Sequence, residues 1–357
     1  MPLTTSAQSS GASVSGAPKA QLNPGLHFAG YSSCLARGCH GGADLDQEGK
    51  LAPAVLGNSA TIWMNHDRHT RAYAILKSPR SREILLRLAD AGVLASSVDP
   101  HDPRPEREER CLACHVTPTL APAARMADSD HMEGVWSEGV SCDACHTTPG
   151  YDSWGWVDSH PRGELKECLT NPSRGMRSLD TAAKRVQVCV GCHVGAPADA
   201  RAGVPLRDMD HTFIAAGHPR LFFDFATYLQ LMPPHWQERQ RPVIPTTKND
   251  PTGEVAAAAA GVTAELSAEL ALVADRAQQP EVRSSLSSLD CYACHHDLVS
   301  DSWRQQATRK GRLGRAVWLG DELLESTSPW IIPAGAPERT ALSAVSESVS
   351  RFRSVDI

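Results

Sequence analysis

Ten of the eleven cysteines fall into five pairs, and each pair is followed at once by a histidine. The sites are Cys34, Cys39 and His40; Cys111, Cys114 and His115; Cys142, Cys145 and His146; Cys189, Cys192 and His193; and Cys291, Cys294 and His295. Four have the form Cys-x-x-Cys-His, the attachment signature of haem c; the first is stretched, with four residues between its cysteines. The chemistry dictates the spacing. One helical turn must present two thiols to the vinyl groups on one porphyrin edge and the following imidazole to the iron. On this reading the ten cysteines form thioethers, and His40, His115, His146, His193 and His295 are the proximal iron ligands.

Two other uses of cysteine fit less well. A disulfide framework has no reason to place histidine after every second cysteine. A zinc site joins Cys-x-x-Cys units into four-ligand sets without needing the adjacent histidine each time. The expected cofactor is therefore haem c, five copies, covalently attached. Cys168 has neither a partner nor a following histidine and reads as a buried apolar residue.

Each iron has a sixth position, and its ligand sets the chemistry. A second histidine gives a low-spin iron of low potential suited to electron transfer, methionine raises the potential, and an open position admits a substrate. Ten histidines lie outside the motifs. His69, His160, His211 and His218 are the expected distal ligands. His27, His66, His131 and His235 are weaker choices, and His101 weaker still. His66 and His69 are three apart, so a helix would place them on one face. Met64, Met126, Met132, Met176 and Met209 could ligate in principle, but methionine more often fills core space.

The elements that must hold these groups read as short helices in Pro- and Gly-rich loops: the chain has 25 Pro and 26 Gly, with only 5% aromatic residues. The spacing of Ile84, Leu85, Leu88 and Val93 predicts a helix over 81–93. Another is expected over 224–231, and a long Ala-rich one over 254–277. A further helix near 280–295 should carry the fifth motif, followed by a basic amphipathic stretch over 302–325. The organisation expected is a disordered leader (1–25), a haem-dense region with four motifs (26–221), a helical region with the fifth (222–330) and a tail (331–357). The fold class is mainly α with extensive loops and little or no β-sheet. With so few aromatics, the porphyrins themselves must supply much of the apolar core.

The formal charge is −6, and ferric bis-histidine haems with two ionised propionates would each add about −1. No concentrated basic footprint of the kind nucleic acid requires is present. A redox partner protein with a basic patch is expected instead, periplasmic or membrane-bound. Covalent haem attachment takes place outside the bacterial cytoplasm, so the motifs imply export to the periplasm. Residues 1–25 contain no apolar core of a secretory signal. No run of 18 consecutive apolar residues suggests a membrane-spanning segment.

Several stretches resemble the multihaem cytochromes related to cytochrome c-554, an electron carrier of ammonia oxidation. They are Trp63 with His69-Thr-Arg-Ala-Tyr73, Gly139-Val-Ser-Cys-Asp-Ala-Cys-His146, Cys189-Val-Gly-Cys-His-Val-Gly-Ala196 and Asp210-His-Thr-Phe-Ile-Ala-Ala-Gly-His-Pro-Arg-Leu221. The resemblance spans roughly 30–300 and implies stacked haems, mostly bis-histidine, with the chain wrapped around them. It supports His69 as a distal ligand, and His211 and His218 more loosely. The stretched first motif, the fifth haem and the long Ala-rich helix depart from it. Electron transfer is the function it implies. The alternative is a reductase of a small nitrogen oxide or hydroxylamine at a five-coordinate haem. Pentahaem nitrite reductases typically carry a Cys-x-x-Cys-Lys motif, which this chain lacks.

Overall fold

The computed structural model describes residues 28–35, 40–43, 45–50, 56–94, 98–125, 132–151, 175–235 and 251–278, with single positions at 157, 287, 291, 295, 337, 340 and 344. Within them the chain is helical, and strand pairing is confined to isolated β-bridges, among them Thr147–Met176, Ala196–Arg207 and Asp199–Val204. The helices are α1 (Gly30–Cys34), α2 (Ser59–His66), α3 (Pro79–Asp90), α4 (Glu109–His115), α5 (Glu133–Trp136), α6 (Cys142–His146), α7 (Ala182–His193), α8 (His211–Ala216), α9 (Phe225–Leu231) and α10 (Pro251–Ala277). Short 3-10 turns link several of them, including Arg68–Arg71 and Ala74–Lys77.

Local chemistry explains the boundaries. Helix α3 starts where Ser78 accepts from the Ser81 N–H at 3.2 Å, with Pro79 at its first position, a cap and a first residue that suit a helix start. The helix begins two residues earlier than the apolar spacing suggests, because the cap lies outside the apolar pattern. Asp224 caps α9 through the Thr227 N–H. Helix α10 follows from its alanine content, since alanine has the highest helix propensity.

His66 and His69 do not share a helix. Helix α2 ends at His66, Asp67 is extended, and His69 sits in the 3-10 turn that follows. The Asp67 carboxylate makes the break: it accepts the His69 backbone N–H at 2.9 Å and so starts a new turn.

The apolar interior is divided. One cluster joins Tyr73, Leu76, Leu112, Val116 and Trp136. A second joins Val186 and Val190 of α7 to Phe223, Phe225, Ala257 and Ala264. A third, smaller one holds Leu88, Phe213 and Ala216. Between them lies a cavity of about 1080 Å³, reached by residues of all three.

Helix α10 packs against α7 and α9, and Arg276 near its end pairs with the buried Asp208. Val255–Ala277 is also long and apolar enough to cross a membrane, judged by length and composition. The rule of 18 consecutive apolar residues passes over it because Thr263, Glu265, Ser267 and Glu269 interrupt the run. The region expected to carry a helix over 280–295 and the stretch 302–325 lie outside the described residues, single positions apart.

Candidate haem sites

Three of the motifs end a helix in the same way. Helices α4, α6 and α7 run through both cysteines and stop on the histidine, at His115, His146 and His193. One turn thus presents two sulfurs and one imidazole together, as the spacing requires. The stretched motif differs: α1 stops at Cys34, and the His40 N–H donates back to the Cys34 carbonyl at 3.2 Å. The His40 carbonyl in turn accepts from Ala60 and Thr61 in the first turn of α2. Cys39 and Cys294 lie outside the described residues, as do His27, His131, His160, His296 and Cys168.

The histidines meet in pairs. The His69 and His193 rings have centroids 6.1 Å apart, His115 and His218 are 6.5 Å apart, and His211 and His295 are 6.3 Å apart. Two imidazoles bound through Nε2 on opposite sides of one metal, each at about 2.0–2.1 Å, put their centroids about 6.4 Å apart. Each pair joins one motif histidine to one of the expected distal histidines. The ring planes cross at 84° and 82° in the first two pairs and lie within 24° of each other in the third.

Hydrogen bonds hold the Nδ1 atoms away from the metal position. His115 donates from Nδ1 to the Ala72 carbonyl at 2.7 Å, and His218 to the Pro219 carbonyl at 2.8 Å. His69 donates to the Asp67 carboxylate at 2.8 Å, and His40 Nδ1 is 2.8 Å from the Ser59 hydroxyl. A carbonyl or carboxylate acceptor requires the proton on Nδ1, which leaves the Nε2 lone pair for a metal.

Local turns aim these rings. His218 follows Gly217, a left-handed residue (φ 114°) that ends α8. The His218 N–H returns to the Phe213 carbonyl at 3.0 Å and the Gly217 N–H to Ile214, a Schellman-type stop in which glycine takes the positive φ. His211 opens the same helix, and Asp210 caps it through the Thr212 and Phe213 N–H groups. One six-residue helix therefore sends its two flanking histidines to different motifs.

His235 is a ligand candidate that the sequence ranks low. Its Nδ1 is 3.4 Å from the Pro233 carbonyl. Burial lowers both His235 and His146, the His235 charge adds to the lowering of His146, and the Arg185 charge acts on both rings. The Pro233–Pro234 pair ahead of it ends the preceding helix and was the available signal. By contrast His66 and His101 are exposed.

Burial keeps most of these rings neutral, as metal ligation requires. It pushes His193 down to about 4, with the His69 charge adding to the effect, and His146 down to about 3, helped by His235 and His40. Burial also lowers His115 and His218. His69 goes the other way: burial opposes its charged form, but the Asp67 bond and charge outweigh that and raise it.

The cavity fits porphyrin. Its lining includes Cys111, Cys114, His115, Cys189, Cys192 and His193, so two complete motifs face one space. At about 1080 Å³ it is larger than the ~300–1,000 Å³ typical of a pocket for one small ligand. Its walls are largely aliphatic and aromatic, which suits a flat apolar macrocycle. Arg177 and Arg207 also line it and have no carboxylate partner among the described residues, a cationic edge suited to propionates. The Cys114 and Cys192 thiols are neighbours that shift each other's titration, as are those of Cys34 and Cys142. Motif 2 thus abuts motif 4, and motif 1 abuts motif 3.

Residues 57–147 match the family model described as cytochrome c554 and c-prime. The match covers about a quarter of the chain and supports its relation to the multihaem cytochromes c. That relation implies covalently bound haem c and electron transfer. The matched stretch holds the second and third motifs and His69, and it leaves the first, fourth and fifth motifs outside. No curated protein and no solved structure matches the chain.

Proposed function

We propose that this cytochrome is an exported, periplasmic pentahaem electron carrier whose haems are bound mostly by two histidines. The observation that carries the reading is the set of three histidine pairs with centroids 6.1, 6.3 and 6.5 Å apart. In this assignment His115 and His218 bind haem 2, His69 and His193 bind haem 4, and His211 and His295 bind haem 5. His146 and His235 bind haem 3. His40 binds haem 1, with His160 the distal ligand expected from sequence. The paired cysteines of each motif hold the porphyrin through thioethers.

Haem c supplies one-electron iron chemistry, and the protein's task is to hold six-coordinate irons in a fixed, apolar shell that changes little on reduction. The contacts between motifs 1 and 3 and between motifs 2 and 4 support two closely spaced haem pairs. The excess of acidic residues, increased by propionates, favours a partner protein with a basic docking patch, steered by long-range charge.

A pyridine haemochrome assay should return five haems per chain. Electron paramagnetic resonance of the oxidised protein should show only low-spin iron. Crossed imidazole planes give strongly anisotropic signals and near-parallel planes rhombic ones. Haems 2 and 4 should therefore fall in the first class and haem 5 in the second. A high-spin signal that shifts on adding nitrite or hydroxylamine would overturn the carrier reading in favour of catalysis at an open haem.

A further inference from the structure

The hydrogen-bonded histidines are not held alike. His115 and His218 bond to neutral carbonyls, those of Ala72 and Pro219, and His40 lies against the Ser59 hydroxyl. Only at His69, among these, is the acceptor a carboxylate: Asp67 Oδ1 at 2.8 Å. The Asp67 side chain is 2% exposed and lines the large cavity. Its second oxygen, Oδ2, is buried with no hydrogen-bond partner among the described residues. A buried carboxylate with half its capacity unused is costly, and its orientation toward one ligand's Nδ1 needs a reason.

We infer that Asp67 tunes the haem bound by His69 and His193, making it the weaker electron acceptor of the pair it forms with the haem bound by His115 and His218. The inference rests on the ligand assignment proposed above. A carboxylate on the outer nitrogen of a ligating imidazole draws the Nδ1 proton toward itself and raises the basicity of Nε2. A stronger donor stabilises ferric over ferrous iron, and so does a nearby buried negative charge. Each haem takes up one electron from the donor protein as Fe(III) becomes Fe(II), and the tuning sets where that electron rests.

The placement is economical. The same short segment serves both members of the pair: Asp67 holds His69 and, five residues on, the Ala72 carbonyl holds His115. One acceptor is charged and the other neutral, so the two adjacent haems differ by construction. Arg207 works in the opposite direction, since its Nη1 lies 3.8 Å from the Cys192 sulfur of the same haem. A change at Asp67 alone isolates the carboxylate's part.

The test uses the haem-loaded protein with Asp67→Asn. Asparagine keeps the shape and still caps the His69 turn, but it removes the charge. In a spectroelectrochemical titration one haem component should move to higher potential. The expected size is about tenfold in its reduction equilibrium, or 59 mV for one electron, with haem content and low-spin signals retained. Asp67→Glu, which keeps a carboxylate, should return the component toward its original position. An unshifted titration in Asp67→Asn, or equal shifts in both variants, would overturn the tuning role. His69→Ala separates the two levels of the argument. It should turn one haem high-spin, and if it turns none, the ligand assignment fails and the tuning role with it.

Discussion

At the residue scale the site is built from short-range decisions about single protons. The bonded Nδ1 atoms leave Nε2 for iron, and burial holds His146 and His193 neutral. Similar physics acts on Glu265 of α10. Burial first, then the Glu269 and Asp224 charges, push it up to about 7, with Arg220 opposing. Its folded-state value lies above its ordinary one, so between about pH 4.5 and 7 the folded chain holds more protons than the unfolded chain. Stability from this group therefore falls as pH rises through that window. Glu265→Gln should leave stability near pH 5 almost unchanged. Above pH 7 it should add on the order of 1 kcal/mol, discounted for the group's partial exposure. Chemical denaturation of the holoprotein at the two pH values checks this, and equal effects at both would contradict it.

At the element scale, turns do the aiming. Gly139 precedes the third motif with φ 69°, and a Cβ there would lie 2.4 Å from the His69 carbonyl oxygen. The next residue, Val140, donates its N–H to that same oxygen at 3.1 Å. The absent side chain thus lets the loop before α6 lock onto the turn that carries His69. On the other side of α6, Asp143 accepts the Gly30 N–H at 3.0 Å and ties the third motif to α1. Gly139→Ala meets both a disfavoured φ and a backbone clash. It should cost at least about 1–3 kcal/mol and broaden the low-spin signal of the haem proposed for His69. A variant that melts like the parent and keeps its spectrum would show that the loop does not position His69.

At the scale of the whole molecule, the three apolar clusters surround the cavity rather than fill it. Withdrawing apolar volume from a protein core costs about 24 cal/mol per Å³. At that rate a space of about 1080 Å³ between the clusters, though partly open, is a large cost against the 5–15 kcal/mol by which domains are usually stable. The polypeptide is therefore expected to use the porphyrins as core material. Produced under conditions where haem is not attached, the chain should show no cooperative thermal transition by circular dichroism. A sharp melt of the haem-free chain would refute this. Helix α10 contributes Ser267, Ala268 and Ala271 to the cavity lining and packs on α9 and on α7, the helix that carries the fourth motif.

The cofactor chemistry was legible in the sequence because covalent attachment is a local demand. Two thiols and an imidazole must fit one helical turn, and Cys111 to His115, Cys142 to His146 and Cys189 to His193 each do so. The mainly α, sheet-poor fold and the helices near α3, α9 and α10 were legible for the same reason: caps, spacing and alanine content act over a few residues. Distal ligation is not local. His69 faces His193 across 124 residues of chain, and His211 and His218, seven apart, turn to different partners because α8 and the Gly217 stop separate their directions. His235, ranked low by the sequence, gained weight and Asp67 came forward only from the folded arrangement, since burial and proximity to a distant ring leave little mark in spacing. The sequence by itself determined which residues can grip a porphyrin and hold its iron from one side. The tertiary structure decided which histidine rings face one another, because that depends on how separate helices pack around a shared cavity.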